Sequence, residues 1–69
     1  MKMTAVQSSM VAHHGYDAAT KTMALTFRDG KTYHYHHVPQ AAYDSLVSAK
    51  SLGQHFYQHV KPRFKGVVR

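Results

Sequence analysis

Seven histidines, five tyrosines and nine lysine or arginine residues stand against three aspartates and no glutamate in this 69-residue chain. That imbalance decides which chemistry is within reach. His34 and His36 are two apart and would share one face of a strand. His55 and His59 are four apart and would share one face of a helix. Either pair can give a zinc or nickel ion two ligands, but neither has a carboxylate or thiolate beside it in the sequence to complete a site. Asp29 fits a turn, Asp44 falls inside a helical pattern, and cysteine is absent. No metal and no other cofactor is expected, and the histidines read as polar cover on a half-buried sheet and helix. An enzyme is not expected either. Paired carboxylates for acid–base work are missing, Ser8 and Ser9 lack a nucleophile elbow, and Gly15, Gly30, Gly53 and Gly66 are too scattered to cradle a phosphate.

Binding chemistry is better supplied. The formal charge of +6 favours acidic partners, either nucleic acid or an acidic protein surface. Tyr33 and Tyr35 alternate on one strand, where exposed aromatic rings can stack on splayed bases. Arg28, Lys31, Lys61, Arg63 and Lys65 are the candidate phosphate contacts. The expected function is therefore a small non-enzymatic module that binds nucleic acid, with RNA or another single strand favoured, through a basic surface. A protein-interaction module or an inhibitor of a larger machine is the alternative. A homodimer through the first strand or through Val67-Val68 would bury extra surface for a small core. The tyrosines also have a plainer reading, as the apolar lining of the one face that such a domain must cover.

The elements that would position these residues are set by periodicity. Ser8–Tyr16 can form a first strand, with Gly15 as a candidate bulge. Thr22–Arg28 alternates Met23, Leu25 and Phe27 with Ala24, Thr26 and Arg28, the pattern of a half-buried strand. Asp29-Gly30 is a strong hairpin signal, and Lys31–Val38 returns as the partner. If Arg28 pairs with Lys31 across a two-residue turn, His34 and His36 face the side of Leu25 and Met23. A longer turn or a bulge puts Tyr33 and Tyr35 there instead, because a one-residue slip exchanges the faces. Both registers remain open on sequence, and the better apolar burial of tyrosine favours the bulge.

Val38-Pro39 ends the strand and starts a helix, with Ala42, Tyr43, Leu46, Val47 and Ala49 as its apolar stripe. Ser51-Leu52-Gly53-Gln54 matches a capping box for a second short helix, with Phe56 and Val60 facing the core and Pro62 as the stop. Val67-Val68 can add an edge strand or remain loose. The expected fold is α+β: a three-stranded antiparallel β-meander followed by two short helices packed on one face. One domain spans residues 1–69, with a core over about 6–64 and a basic tail at 65–69. No stretch approaches the roughly 20 apolar residues of a membrane span. With no run of signal-peptide length near the start, the expected address is the cytoplasm.

This order of signals resembles the KTSC family, a small domain named from the C-terminus of certain lysyl-tRNA synthetases and found also as free-standing proteins of bacteria and phages. The likeness runs from about Val6 to Phe64. It includes Val6-Gln7-Ser8-Ser9, Gly15-Tyr16-Asp17 and Leu25-Thr26-Phe27. It continues through Gly30-Lys31-Thr32-Tyr33-His34-Tyr35 and Val38-Pro39, then Tyr43, Leu46, Ala49-Lys50-Ser51-Leu52-Gly53 and Phe56-Tyr57. His36-His37 departs from the small or polar residues typical before Val-Pro. The resemblance implies an α+β fold, and by analogy with the synthetases it implies RNA binding.

Overall fold

A computed structural model describes residues 1–69. The register of the central hairpin organises everything else. Strands β3 (Thr22–Phe27) and β4 (Thr32–Tyr35) are joined by a tight connection around Arg28-Asp29-Gly30. The Gly30 N–H donates to the Phe27 carbonyl at 3.0 Å, and the Phe27 N–H donates to the Lys31 carbonyl at 2.9 Å. Gly30 alone takes a positive φ in this loop, 91°. This is a turn followed by a one-residue bulge rather than a two-residue turn with two left-handed residues. The extra residue sets Leu25 opposite Tyr33 and Met23 opposite Tyr35. The tyrosines share the face of Met23 and Leu25, and Ala24 lies opposite His34 on the other face.

The sheet has five antiparallel strands in the order β1-β2-β3-β4-β5, not three. β2 is Val11–Asp17, somewhat shorter than the expected first strand. Its bulge falls between Val11 and His13, not at Gly15. Gly15 instead lies directly under the chain that precedes it, since a Cβ there would sit 2.6 Å from the Met3 sulfur and 2.9 Å from the Lys2 carbonyl. Two short edge strands complete the sheet, one unforeseen and one, at Val67-Val68, left open on sequence between an edge strand and a loose end. β1 (Met3–Ala5) has too few residues to show alternation. β5 (Gly66–Val68) returns after the helices to pair with β4.

Pro39 stands as the cap of α1 (Gln40–Ser48), one residue ahead of the helical turns, and Leu46 is buried from it. Ser51 caps α2 (Leu52–His55), its hydroxyl accepting from the Gln54 N–H at 3.3 Å. The chain then widens into a π-helical turn, Phe56–Val60, closed by the Lys61 N–H donating to the Phe56 carbonyl at 2.8 Å. These helices cover one face of the sheet. The core joins Val11, Met23, Leu25 and Tyr35 from the strands with Val38, Leu46, Leu52, Phe56 and Val60. Tyr16 stacks on Tyr43 of α1, centroids 4.9 Å apart, and its hydroxyl donates to the Val38 carbonyl. No helix is long and apolar enough to cross a membrane.

Candidate nucleic-acid interface

The far end of the hairpin does not close against the π-helical turn. Between them lies a cleft of about 460 Å³, within the range of small-ligand sites. Its floor is Tyr33, Tyr35, Phe27 and Phe56, and its rim carries Tyr57, Lys61, Phe64, Lys65 and Asp29. The aromatic rings brace one another edge to face. Phe27 and Tyr33 centroids are 5.4 Å apart, and Tyr35 and Phe56 are 5.9 Å apart.

The floor and the rim have different natures. Tyr35 is 4% exposed and belongs to the core. Its ring fits against Gly66, where a Cβ would come within 2.6 Å of it. Burial, with the Tyr33 hydroxyl beside it, pushes the Tyr35 phenol up to about 12, so it stays a neutral donor. Tyr33 is half-buried and offers only part of its ring. Tyr57, by contrast, is 58% exposed. The Lys61 ammonium lies 5.1 Å from its ring centroid, a cation–π pair. Tyr57 is thus the aromatic ring presented to solvent, with a charge already placed beside it.

Of the seven residues expected to contact nucleic acid, the fold gathers four in this cleft: Tyr33, Tyr35, Lys61 and Lys65. The other three lie elsewhere. Arg28 spends its guanidinium on the β1–β2 connection, donating to the Ser8 carbonyl at 2.9 Å and the Val6 carbonyl at 3.2 Å. Lys31 is exposed past the hairpin loop. Arg63 points to the opposite side of Phe64. As a stacking platform Tyr35 is corrected outright, because its ring is enclosed by the core. Sequence reasoning passed over Tyr57, although Tyr57 and Lys61 at four-residue spacing on a helix carry a cation–π signal. It also assigned Asp29 to the turn alone; its Oδ1 does accept from the Lys31 N–H at 3.0 Å, and the side chain also lines the cleft.

The two histidine pairs stand apart from the cleft. His55 and His59 rings approach to 4.6 Å between centroids, yet no group of three or more histidine or aspartate side chains converges anywhere. Burial and the neighbouring His59 hold His55 below the usual histidine range. His34 lies on the uncovered face, held low by burial and by Arg69 and His36.

Comparisons with known proteins agree with the architecture. Residues 7–64 match the KTSC domain family model. A protein of Tsukamurella paurometabola is 43% identical over 66 residues, covering 96% of this chain and 98% of that one. A lysine–tRNA ligase of Nostoc punctiforme is 34% identical over 59 residues, which is 86% of this chain and only 10% of the ligase. The crystal structure of a KTSC domain protein from Yersinia pestis superposes with a TM-score of 0.94 at 31% identity, covering 99% of this chain and 96% of that one.

Proposed function

The chain belongs to the KTSC domain family, and from that premise we propose that it is a non-enzymatic cytoplasmic module that binds single-stranded nucleic acid, RNA above all. The observation that carries this reading is the convergence of Tyr57, Lys61 and Lys65 around one aromatic cleft, in a chain of net charge +6. Base stacking on an aromatic ring contributes about 1–3 kcal/mol per base and tolerates any sequence. Lysines beside the ring neutralise the phosphates that accompany the base. The occurrence of this domain's relative within a lysine–tRNA ligase fits an RNA ligand but does not extend the ligase's activity to this chain.

The test is the anisotropy of a labelled single-stranded RNA titrated at increasing salt. Log affinity should fall with log salt by about 0.7 for each phosphate held. Tyr57→Ala and Lys61→Ala should weaken binding with the fold intact, since both side chains are exposed. Absence of binding at low salt, or binding indifferent to salt, overturns the reading.

A second reading rests on the β5 edge, where Val67 and Val68 are 44% and 54% exposed. An exposed apolar edge strand can pair with another chain or a second copy. Sedimentation that depends on concentration, and reverts to monomer in Val68→Lys, would favour it.

A further inference from the structure

Behind the cleft, on the other side of Phe64, the surface is hollowed a second time. His36, His37, Arg63, Phe64, Lys65 and Val67 line a recess of about 520 Å³. Four of the six carry positive charge or can acquire it, and none is a carboxylate. Phe64 and Lys65 line both hollows and form their common wall.

The recess is held rigidly from two sides. The Arg63 and Phe64 N–H groups donate to the Val60 carbonyl at 3.0 and 2.8 Å, fixing the chain where it leaves the helices. His37 has a φ of 59°, a left-handed conformation that costs a residue with a side chain about 1–2 kcal/mol. Its neighbour Val38 anchors it there. Val38 is 1% exposed, its N–H donates to the Lys21 carbonyl at 2.9 Å, and its carbonyl accepts from Tyr16. Strain that the surroundings over-determine is a pointer to function. Here it leaves His36 and His37 side by side and exposed.

We propose that this recess is a phosphate subsite for the backbone of a single strand whose base occupies the cleft. As the strand passes over Lys65, its phosphodiester oxygens lie against the Arg63 guanidinium and the His36 and His37 imidazoles. The guanidinium fork suits phosphate oxygens in two-point contact. An imidazole N–H adds a donor in either protonation state. The absence of a carboxylate from the lining leaves these donors without a competing acceptor there. The subsite rests on the cleft reading and adds to it the residues that carry the backbone.

Two ligands and two variants test it. A mononucleotide can fill the cleft alone, whereas an octanucleotide must pass the shared wall. Arg63→Gln removes a charge without removing a core contact, and His37→Gly relieves the positive φ, so both should fold. Each should weaken the octanucleotide by roughly two- to tenfold and leave mononucleotide shifts in ¹H–¹⁵N spectra unchanged. Arg63→Gln should also flatten the salt slope by about 0.7. If octanucleotide affinity and slope are unchanged in both variants while Lys61→Ala weakens both ligands, the subsite is wrong and the cleft stands. If the wild type binds neither ligand, the cleft reading fails and the subsite falls with it.

Discussion

On the helix-covered face of the sheet, Met23, Leu25, Tyr33 and Tyr35 meet across β3 and β4. On the opposite face of the same two strands stand Ala24, Thr26, Thr32 and His34, and the Thr26 and Thr32 hydroxyls are bonded at 2.8 Å. One face buries large apolar area beneath helices. The other is narrow, small-residued and hydrogen-bonded to itself. The strands did not choose these roles by composition alone, since β4 offers tyrosines on one side and a histidine on the other. The choice was made by a single extra residue in the loop that joins them.

The largest effect should come from removing that residue. Deletion of Gly30 leaves only Arg28-Asp29 between the paired Phe27 and Lys31, a two-residue turn that needs left-handed residues and has no glycine to supply them. The hairpin must then either hold its register on a strained turn or relieve the strain by slipping one position, which turns Tyr33 and Tyr35 outward and His34 into the core. A chain of this size has roughly 3–10 kcal/mol of stability to lose, and the variant should show no cooperative thermal transition by circular dichroism. A native-like transition would break the comparison. Next in size is a paired truncation of neighbours on β3. Leu25→Ala should cost about 2–5 kcal/mol, while Thr26→Ala, facing the other way, should cost about 0.2–1 kcal/mol. Similar denaturation midpoints for the two would mean the faces are not as unequal as they look.

Gly66→Ala should be intermediate to small, about 1–3 kcal/mol, because its Cβ must push the Tyr35 ring from a 2.6 Å approach. An unchanged midpoint would mean that Tyr35 is less firmly seated in the covered face than its burial indicates.

The smallest expected effect is that of pH. Burial holds His14 below the usual histidine range, on the covered side, where its Nδ1 is 2.6 Å from the Tyr43 hydroxyl. His34 is lowered as well, by burial first and then by Arg69 and His36. A histidine depressed in the fold is neutral in both states above its ordinary value. As pH falls below about 6.5 the unfolded chain takes up protons first, so stability is lost from there down to the lowered native value. Melting temperature should therefore fall between about pH 7 and pH 5. His14→Gln and His34→Gln should each flatten the fall, and added salt should weaken only the share of His34 that comes from neighbouring charges. A melting temperature that rises as the solution is acidified would contradict both shifts.

Much of this was legible in the residues. The alternation of Met23, Leu25 and Phe27, the Asp29-Gly30 turn signal and the Ser51 cap all work through neighbours within a few positions, and each appears in the structure where local chemistry puts it. The strand expected to run to Val38 ends instead at Tyr35, with His37 at a positive φ and Pro39 capping the helix. The register of β4 stood undecided because a two-residue turn and a bulged turn share the same Asp-Gly dipeptide. The edge strands were harder to see. β1 is too short to alternate, and β5, offered by Val67-Val68 only as an alternative to a loose end, is decided by a partner far away along the chain. The cleft was half legible. The lysines of the last turn and the tyrosines of β4 were singled out separately, but the rim also needs Tyr57. Only the π-helical turn, with Phe56 inward and Tyr57 outward, shows that Tyr57 rather than Tyr35 meets the solvent.

The return of β5 to the hairpin has a consequence for how the molecule assembles in time. Strands β1 to β4 succeed one another through short connections, so their pairings close small loops and can form early. Both helices and the π-helical turn lie between β4 and β5 in the chain, so their pairing closes a much longer loop and is expected to form late. Until it docks, β4 is an unfinished edge with unpaired backbone groups, and Tyr35 lacks the Gly66 wall against which its ring rests. The strand with the longest loop to close is thus the one that completes both the hydrogen-bonded margin of the sheet and the back of the cleft, so the candidate binding surface is expected to be finished last.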